Sequence, residues 1–166
     1  MNTFEVSGST LLGVAVLVID LLKGVLSVFL SSAIVGDEFW MMGVAGLGAI
    51  TGHSYSVWLK FKGGRGLATA LGVILSFGWV FVVMWCVPWV VVYVLDRDIH
   101  LANITASIVG PVILIATPDR FWKTTLPLIS DSPNFQYLII FICLLLFMRH
   151  HDYIVTLRDS FTNISS

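Results

Sequence analysis

The side chains best suited to chemistry lie in one short stretch that is rich in glycine and in basic residues. Gly63, Gly64 and Gly66 free the backbone to turn its N–H groups inward, and Gly66 begins a predicted helix whose N-terminal dipole favours anions. Lys62 and Arg65 add two full positive charges. The stretch therefore predicts a phosphate site. The same residues would also suit a flexible cationic turn that anchors the chain at a membrane surface. The spacing of the glycines and the lysine is not that of a Walker A loop.

Two opposite charges interrupt the first apolar segment of the sequence. Asp20 and Lys23 are three residues apart, so a helix places them on one face, where they can pair and lessen the unfavourable free energy of burial in lipid. Pairing alone would explain them, yet an ionisable residue inside a membrane is also a functional candidate. We place both residues, with the adjacent Gly24, in a supporting position behind the phosphate site.

All four histidines lie near the ends of predicted helices. His100 and Asn103, one turn apart at a helix start, suit either N-terminal capping or a polar pair that faces a ligand. Arg149 and His150 end the last apolar run and suit either an anchor at the membrane interface or a second contact to an anion. The sequence has no metal-ligand spacing and no nucleophile-base pattern, so we predict neither a metal nor a cofactor.

The composition indicates what kind of protein must position these side chains. Of 166 residues, 57% are hydrophobic and 11% are charged, whereas soluble domains average about 25% charged residues. The chain is therefore predicted to be an integral membrane protein. With nine Lys and Arg residues and a formal net charge of −1, it lacks the basic face that a nucleic-acid binder needs. No positive region precedes the first apolar run, so we expect no cleaved signal peptide.

The apolar segments predict an all-α, polytopic membrane bundle of about six transmembrane or half-membrane helices, which form one integral-membrane domain over residues 1–166. Because a span takes about 20 helical residues, one shorter segment that ends before Gly78 is predicted to be either a half-membrane helix or a helix steeply tilted into a shielded interior. Gly48 and Gly52 are spaced for close helix packing. The predicted segments are Leu11–Ser32, Phe39–Trp58, Gly66–Phe77, Trp79–Leu95, His100–Thr117 and Gln136–Met148, the last with an extension toward Leu157, and a polar connection covers Pro118–Phe135.

The positive charges predict how the bundle is oriented, because Lys and Arg accumulate in cytoplasmic loops. Six crossings would put both termini on one side of the membrane. That side would hold most of the basic residues, so both termini are predicted to be cytoplasmic. The basic residues on that side are Lys60, Lys62, Arg65, Arg97, Arg149 and Arg158, against Arg120 and Lys123 on the other.

Four collinear patterns resemble one enzyme family. They are Gly-His-x-x-x-Val-x-x-Lys-Phe-Lys-Gly-Gly-Arg-Gly-x-Ala-Thr at 52–69, Asp-x-x-Lys-Gly at 20–24, the helix that begins His-Leu-Ala-Asn at 100–103, and Arg-His at 149–150. In order and spacing they resemble the PlsY family of bacteria, the acyl-phosphate-dependent glycerol-3-phosphate acyltransferases. The likeness extends from about Gly13 to Leu157.

The resemblance implies a multi-pass enzyme of the bacterial cell membrane that transfers a fatty acyl group from acyl phosphate to the 1-hydroxyl of glycerol 3-phosphate. The product would be lysophosphatidic acid, formed without a metal or coenzyme A. The implied partners are these two substrates and the lipid bilayer, while the oligomeric state is left open. On this interpretation the catalytic residues are His53, Lys62, Arg65 and His150, and the substrate-binding residues are Lys60, Gly63, Gly64, Gly66, Thr69, His100 and Asn103.

Several positions depart from the family's pattern. Tyr153 stands where the family has an amide that contacts substrate, Arg65 stands where lysine is more common, and the usual serines are altered between His100 and Asn103. The family's first helix and its Gly-Ser-x-Asn-x-Gly-Ala-Thr-Asn loop have no counterpart in these 166 residues. A second hypothesis is therefore a non-catalytic relative that binds or scaffolds components of lipid synthesis, and a third is an unrelated transporter.

Overall fold

The protein is all helical throughout the residues that its computed structural model describes, 8–125, 134–150 and 153. These residues form seven α-helices and one 3₁₀ turn, with no strand among them, which confirms the predicted fold class. The helices are α1 (Thr10–Val35), α2 (Phe39–Ser54), α3 (Leu67–Phe77), α4 (Trp79–Asp96), α5 (Ile99–Ala116), α6 (Asp119–Thr125) and α7 (Asn134–Met148), and the 3₁₀ turn is Val57–Leu59.

Three of these helices, α1, α4 and α5, are long and apolar enough to cross a membrane. The surface of α1 is mostly apolar and exposed: Leu11 and Ile34, near its two ends, are each 79% exposed. The apolar helices α3 and α7 are shorter, with 11 and 15 residues. At the usual rise per residue α3 is about 17 Å long, roughly half the thickness of a bilayer core. Lipid is the solvent that such an apolar exterior requires.

One face of the helix α7 is buried in the bundle. Its side chains Ile139 and Ile142 are fully buried, and α7 packs against α2, α3 and α5. The buried cluster continues into Val73 of α3 and Phe81 of α4. Because α7 is held on several sides, the polar residues that follow its last turn have a fixed position relative to the other helices.

The helices α1 and α3 cross at two glycines, one from each helix. A Cβ atom on Gly24 would lie 2.2 Å from the Thr69 carbonyl oxygen, and a Cβ atom on Gly72 would lie 2.1 Å from the Leu21 carbonyl oxygen. Since real Cβ atoms do not approach backbone this closely, any larger residue would force the two helices apart. Gly24 thus lets the middle of α1 lie against the first turn of α3.

The predicted role of Gly48 and Gly52 in close helix packing is wrong. A Cβ atom on either glycine would meet no atom within 4 Å, so both face open space. Gly46 of the same helix makes a close contact instead, since a Cβ atom there would lie 2.6 Å from Val73 Cγ1. Spacing of four residues places two side chains on one helix face, but it does not say which face meets a neighbour.

Some segment boundaries also differ from their predictions. The helix α2 ends at Ser54 rather than at Trp58, because the chain leaves the helix there and continues into the 3₁₀ turn. The predicted polar connection contains α6, and α7 begins slightly earlier than expected, at Asn134. The predicted break at Gly78 is confirmed, since α3 ends and α4 begins at this residue. The extension toward Leu157 lies outside the described residues.

Candidate active site

The glycine turn, which we define as residues 60–66, folds directly against the end of α2. The Gly64 N–H donates to the His53 carbonyl oxygen at 3.2 Å. A Cβ atom on Gly63 would lie 2.0 Å from that oxygen, and a Cβ atom on Gly64 would lie 2.1 Å from His53 Nε2. Both positions therefore require glycine because the backbone of the turn lies so close to His53.

Gly66 connects the glycine turn to α3. Its φ of +79° lies in the left-handed region, and a Cβ atom on it would lie 2.7 Å from Ser54 Oγ. As a glycine it has no side chain to cap α3, in contrast to Asp98, whose carboxylate accepts from first-turn amides of α5. The N-terminus of α3 therefore keeps the amide groups and the dipole that a phosphate would bind.

Three exposed basic residues, Lys60, Lys62 and Arg65, lie in the glycine turn. Lys60 and Phe61 have φ values of 52° and 64°, which fold the chain back after the 3₁₀ turn. Arg65 lies near enough to His150 for its charge to lower the pKa of that imidazole. The turn thus presents three cations next to the open end of α3.

Arg149 attaches the end of α7 to the glycine turn. Its Nη2 atom donates to the Gly63 carbonyl oxygen at 3.1 Å, and its guanidinium carbon lies 4.8 Å from the centre of the Tyr55 ring. The sequence left this residue open as an anchor or an anion contact and did not place it among the site residues. Arg149 is therefore a site residue that sequence reasoning missed, because its partner in the turn is 86 residues away.

His53 belongs to an ionic cluster between α1 and α2. Lys23 Nζ lies 2.5 Å from Asp20 Oδ1 and 2.5 Å from His53 Nδ1. Asp20 Oδ1 is also 3.4 Å from His53 Nδ1. The predicted pairing of Asp20 with Lys23 is confirmed, and the pair contacts His53 directly. The His53 ring therefore connects the pair of Asp20 and Lys23 to the glycine turn.

His150 belongs to a neutral, buried cluster after the end of α7. Its Nδ1 atom is 2.7 Å from the Leu146 carbonyl oxygen, and because a carbonyl only accepts, Nδ1 carries the proton. Its Nε2 atom is 3.5 Å from Asn103 Nδ2, while Asn103 Oδ1 accepts from Trp89 Nε1 at 2.6 Å. Burial lowers the pKa of His150 and the charge of Arg65 lowers it further, so the imidazole is neutral at pH 7.

Asp98 performs the capping that the sequence left open for His100. Its Oδ1 atom accepts from the His100 N–H at 2.7 Å and from the next N–H at 3.1 Å. The Tyr153 hydroxyl donates to the other carboxylate oxygen, and the Tyr153 ring centre lies 4.8 Å from that of His100. The His100 ring lies 6.0 Å from the His150 ring. Tyr153, which departs from the family's pattern, therefore contacts both His100 and the residue that caps α5.

Two buried hydroxyl groups near the turn have no hydrogen-bond partner among the described residues, those of Ser54 and Thr69. Thr69, a predicted site residue, lies fully buried where α3 meets α1. Ser54 is 2% exposed and lies against Gly66. Sequence reasoning missed Ser54, although it follows His53 in the same motif. An unpaired buried hydroxyl is unfavourable, which makes Ser54 a candidate ligand contact.

Residues 1–160 match the family described as "Glycerol-3-phosphate acyltransferase". The chain is 34% identical over 148 residues to the enzyme of that name from Rhodopseudomonas palustris, covering 89% of this chain and 68% of the relative. It is also 34% identical over 153 residues to the corresponding protein of Bradyrhizobium diazoefficiens, covering 92% of this chain and 70% of the relative.

Solved structures give the same result. The chain superposes on the crystal structure of PlsY, an integral membrane glycerol 3-phosphate acyltransferase, in its glycerol 3-phosphate form, with a TM-score of 0.71 and 29% identity over 89% of this chain and 68% of that one. The lysophosphatidic acid form gives a TM-score of 0.72, also at 29% identity. The chain thus spans about two thirds of the length of these relatives. The match to the family model, the identity to the named relatives and the structural similarity show that this chain belongs to the glycerol-3-phosphate acyltransferase family.

Proposed function

We propose that this chain transfers a fatty acyl group from acyl phosphate to the 1-hydroxyl of glycerol 3-phosphate. The observation that carries the proposal is the glycine turn, which is held between His53 and Arg149 and leads into the uncapped N-terminus of α3. Both substrates carry a phosphate, and exposed cations beside free amides form the kind of site that binds one. Lys62, Arg65 and the Gly63 amide are assigned to phosphate binding, whereas the predicted role of the Gly64 amide is wrong because this N–H donates to the His53 carbonyl oxygen.

An apolar groove next to the turn suits the alkyl tail of the donor. It lies between α3, α4 and α7 and is lined by side chains such as Leu67, Ile74, Val82 and Leu146. Leu67 directly follows Gly66, so the groove begins where the phosphate site ends. The groove is small, so it would hold only the start of a long hydrocarbon tail beside a phosphate bound at the turn, and the rest of the tail would lie in the surrounding lipid.

The reaction needs orientation and charge stabilisation rather than a protein nucleophile. The 1-hydroxyl oxygen bonds to the acyl carbon, the bond from that carbon to the phosphate oxygen breaks, and the hydroxyl proton leaves with inorganic phosphate. Acyl phosphate is already an activated mixed anhydride. Donors directed at the developing oxyanion and at the leaving phosphate, from His53, Arg65 and the turn amides, supply the stabilisation.

We also propose that the chain is a multi-pass protein of the bacterial cell membrane with both termini in the cytoplasm. The support is the distribution of charge: the glycine turn, Arg97 and Arg149 are at one end of the bundle, and Arg120 is beyond the other end of α5. Phosphate substrates made in the cytoplasm would reach the site from that side. Reporter fusions at Arg120 and at the glycine turn should report opposite sides of the membrane.

One observation favours the second candidate function, a non-catalytic relative. The Tyr153 hydroxyl is bound to Asp98 and its ring lies against His100, whereas the family has a substrate-contacting amide at this position. Such a relative would bind glycerol 3-phosphate without turnover. Calorimetric binding of glycerol 3-phosphate, measured beside the activity assay, distinguishes the two functions.

The activity test uses the chain purified in detergent, labelled glycerol 3-phosphate and palmitoyl phosphate, with lysophosphatidic acid as the measured product. Since a hydrogen bond to a charged group contributes about 1.5–3 kcal/mol, Arg65→Ala should raise the KM for glycerol 3-phosphate about 10- to 100-fold. Lys62→Ala should act in the same direction. Arg120→Ala is the matched control and should leave KM unchanged. Product formation that is equal in wild type and Arg65→Ala would remove Arg65 from the site.

A further inference from the structure

The contact between Lys23 and His53 determines which ring nitrogen of His53 carries a proton. Lys23 Nζ lies 2.5 Å from His53 Nδ1, and it lies equally close to the Asp20 carboxylate, with which it forms an ion pair. A lysine ammonium has three donors and no acceptor. The atom that it faces must therefore offer a lone pair, so Nδ1 of His53 is the unprotonated nitrogen.

The alternative assignment puts the proton on Nδ1 and directs it at Asp20. Asp20 Oδ1 lies 3.4 Å from Nδ1, which is a weak contact, whereas the ammonium lies at 2.5 Å. A proton on Nδ1 would place two donors against each other at the shorter distance. Because the Lys23 ammonium is the nearer group, Nδ1 is the acceptor. The imidazole is therefore neutral, with its proton on Nε2.

The protonated nitrogen faces the glycine turn. His53 Nε2 lies so close to Gly64 that a Cβ atom on that residue would be 2.1 Å away. We propose that Lys23 is a positioning residue that fixes the Nε2–H tautomer of His53, so that this ring donates a hydrogen bond to a phosphate oxygen held by the glycine turn. The last clause rests on the proposed function, whereas the tautomer itself does not.

The tautomer is tested directly by nitrogen NMR of the chain labelled with ¹⁵N-histidine, with the His53 signals assigned by their loss in His53→Gln. In wild type, Nδ1 should have the chemical shift of an unprotonated ring nitrogen and Nε2 that of a protonated one. Lys23→Met should turn this single pattern into a mixture of the two tautomers. Lys23→Arg should keep it, because arginine is also a donor only. A protonated Nδ1 in wild type, or an unchanged pattern in Lys23→Met, would overturn the proposal.

The role in binding is tested with two amide replacements of His53. Glutamine places its amide nitrogen near the position of Nε2, and asparagine places it near that of Nδ1. Since one hydrogen bond to a charged group is at stake, His53→Asn should raise the KM for glycerol 3-phosphate about 10- to 100-fold more than His53→Gln does, with a smaller change in kcat. Equal KM values in the two variants would overturn this role.

The two arms also separate this inference from the proposed function. If wild type forms no product but shows the expected ring signals, the proposed function fails and the tautomer stands. In that case, glycerol 3-phosphate itself is the probe: its addition should shift the His53 Nε2 signal in wild type and not in Lys23→Met. A signal that glycerol 3-phosphate leaves unmoved in wild type would overturn the contact between Nε2 and phosphate.

Discussion

The two histidines beside the glycine turn are held by different kinds of neighbours. His53 lies in an ionic cluster with Asp20 and Lys23 and has a side chain that is 17% exposed. His150 is 2% exposed and is held by a backbone carbonyl and by the Asn103 amide. Charges surround the first ring, and uncharged hydrogen-bonding groups contact the second.

This difference follows from the net charge that lies next to each ring. Lys23 is compensated by Asp20, so an ammonium next to His53 adds little net charge. Burial lowers the pKa of His150, and the charges of Arg65 and Arg149 lower it further. A neutral His150 avoids repulsion from the cations that a phosphate site requires. Its Nδ1–H tautomer is the opposite of the one proposed for His53, so the two rings present different nitrogens.

The clusters also differ in how closely they follow the family's pattern. The ionic cluster consists of residues from the patterns at 20–24 and 52–69, which resemble the family. The other cluster contains Tyr153, which stands where the family has an amide and which donates to Asp98 and lies against the His100 ring. The ionic half of the site thus follows the family's pattern, whereas the neutral half departs from it at Tyr153.

The largest effect should come from Gly64→Ala, which disturbs the side of the site that His53 forms. A Cβ atom 2.1 Å from Nε2 has to push the ring and the turn apart, and displacing catalytic groups by about 1 Å can lower activity about 100-fold. We expect kcat/KM to fall by at least that factor. The measurement is a steady-state assay of lysophosphatidic acid formation.

Gly48→Ala is the matched control for this substitution. Its Cβ atom would meet nothing within 4 Å and lies within α2, where alanine is favoured over glycine by about 0.5–1 kcal/mol. Activity should be unchanged and thermal stability equal or slightly higher. Wild-type activity in Gly64→Ala would show that the turn can move away from His53 freely.

A smaller effect is expected on the His150 side, from Asn103→Ala. The substitution removes the amide that faces His150 Nε2 and leaves Trp89 Nε1 without its acceptor. With one neutral hydrogen bond lost on each side, kcat/KM should fall about tenfold. Trp89→Phe should act in the same direction but less, because Asn103 remains in place.

Trp79→Phe is a suitable control for the aromatic change, since Trp79 is 61% exposed at the start of α4. It should leave kcat/KM unchanged. Melting temperatures measured in parallel separate a change in the site from a loss of fold. If Trp89→Phe and Trp79→Phe behave alike, the contact from Trp89 to Asn103 does not position His150.

The features that sequence predicted are those set by local geometry. Asp20 and Lys23 pair because residues three apart share a helix face, and the break at Gly78 follows from the conformational freedom of glycine. Helix identity followed from apolar runs long enough to span a bilayer. Each of these depends on residues within one continuous segment of the chain, so one sequence is sufficient to infer them.

The features that sequence could not predict depend on how helices meet. The contact of Lys23 with His53 joins residues 30 apart, and that of Trp89 with Asn103 joins two helices. No periodicity encodes which face of α2 meets α3, which is why Gly48 and Gly52 were assigned a packing role that Gly46 has instead. The spacing of residues shows which of them share a helix face, but only the tertiary fold determines which helix packs against that face.

The smallest effect concerns Tyr153 and Asp98. Burial raises the pKa of Asp98, but the hydrogen bonds from Tyr153 and from the Leu101 and His100 amides outweigh it, so the pKa lies below its usual value. The same carboxylate raises the pKa of Tyr153 to about 12. A lowered carboxyl pKa adds stability above the unfolded value, about pH 4, that is lost as pH falls through the folded pKa.

The raised tyrosine pKa has the opposite sign. Its stability is present below the unfolded value, about pH 10, and is lost as pH rises through about 12. Tyr153→Phe should therefore lower the melting temperature by a constant amount between about pH 5 and pH 9, and by less at either extreme. Because both side chains are only partly buried, the loss should be about 1 kcal/mol or less, equivalent to at most about 3 °C.

Tyr137→Phe, which alters an exposed tyrosine on α7, serves as the control and should show no such plateau.

Tyr153→Asn restores the family's amide and removes the ring from His100. If this variant is as active as wild type or more so, the contacts of Tyr153 with Asp98 and His100 only replace the contact that the family's amide makes. If it is inactive while Tyr153→Phe is active, the ring against His100, rather than the hydroxyl on Asp98, is what the neutral half of the site requires.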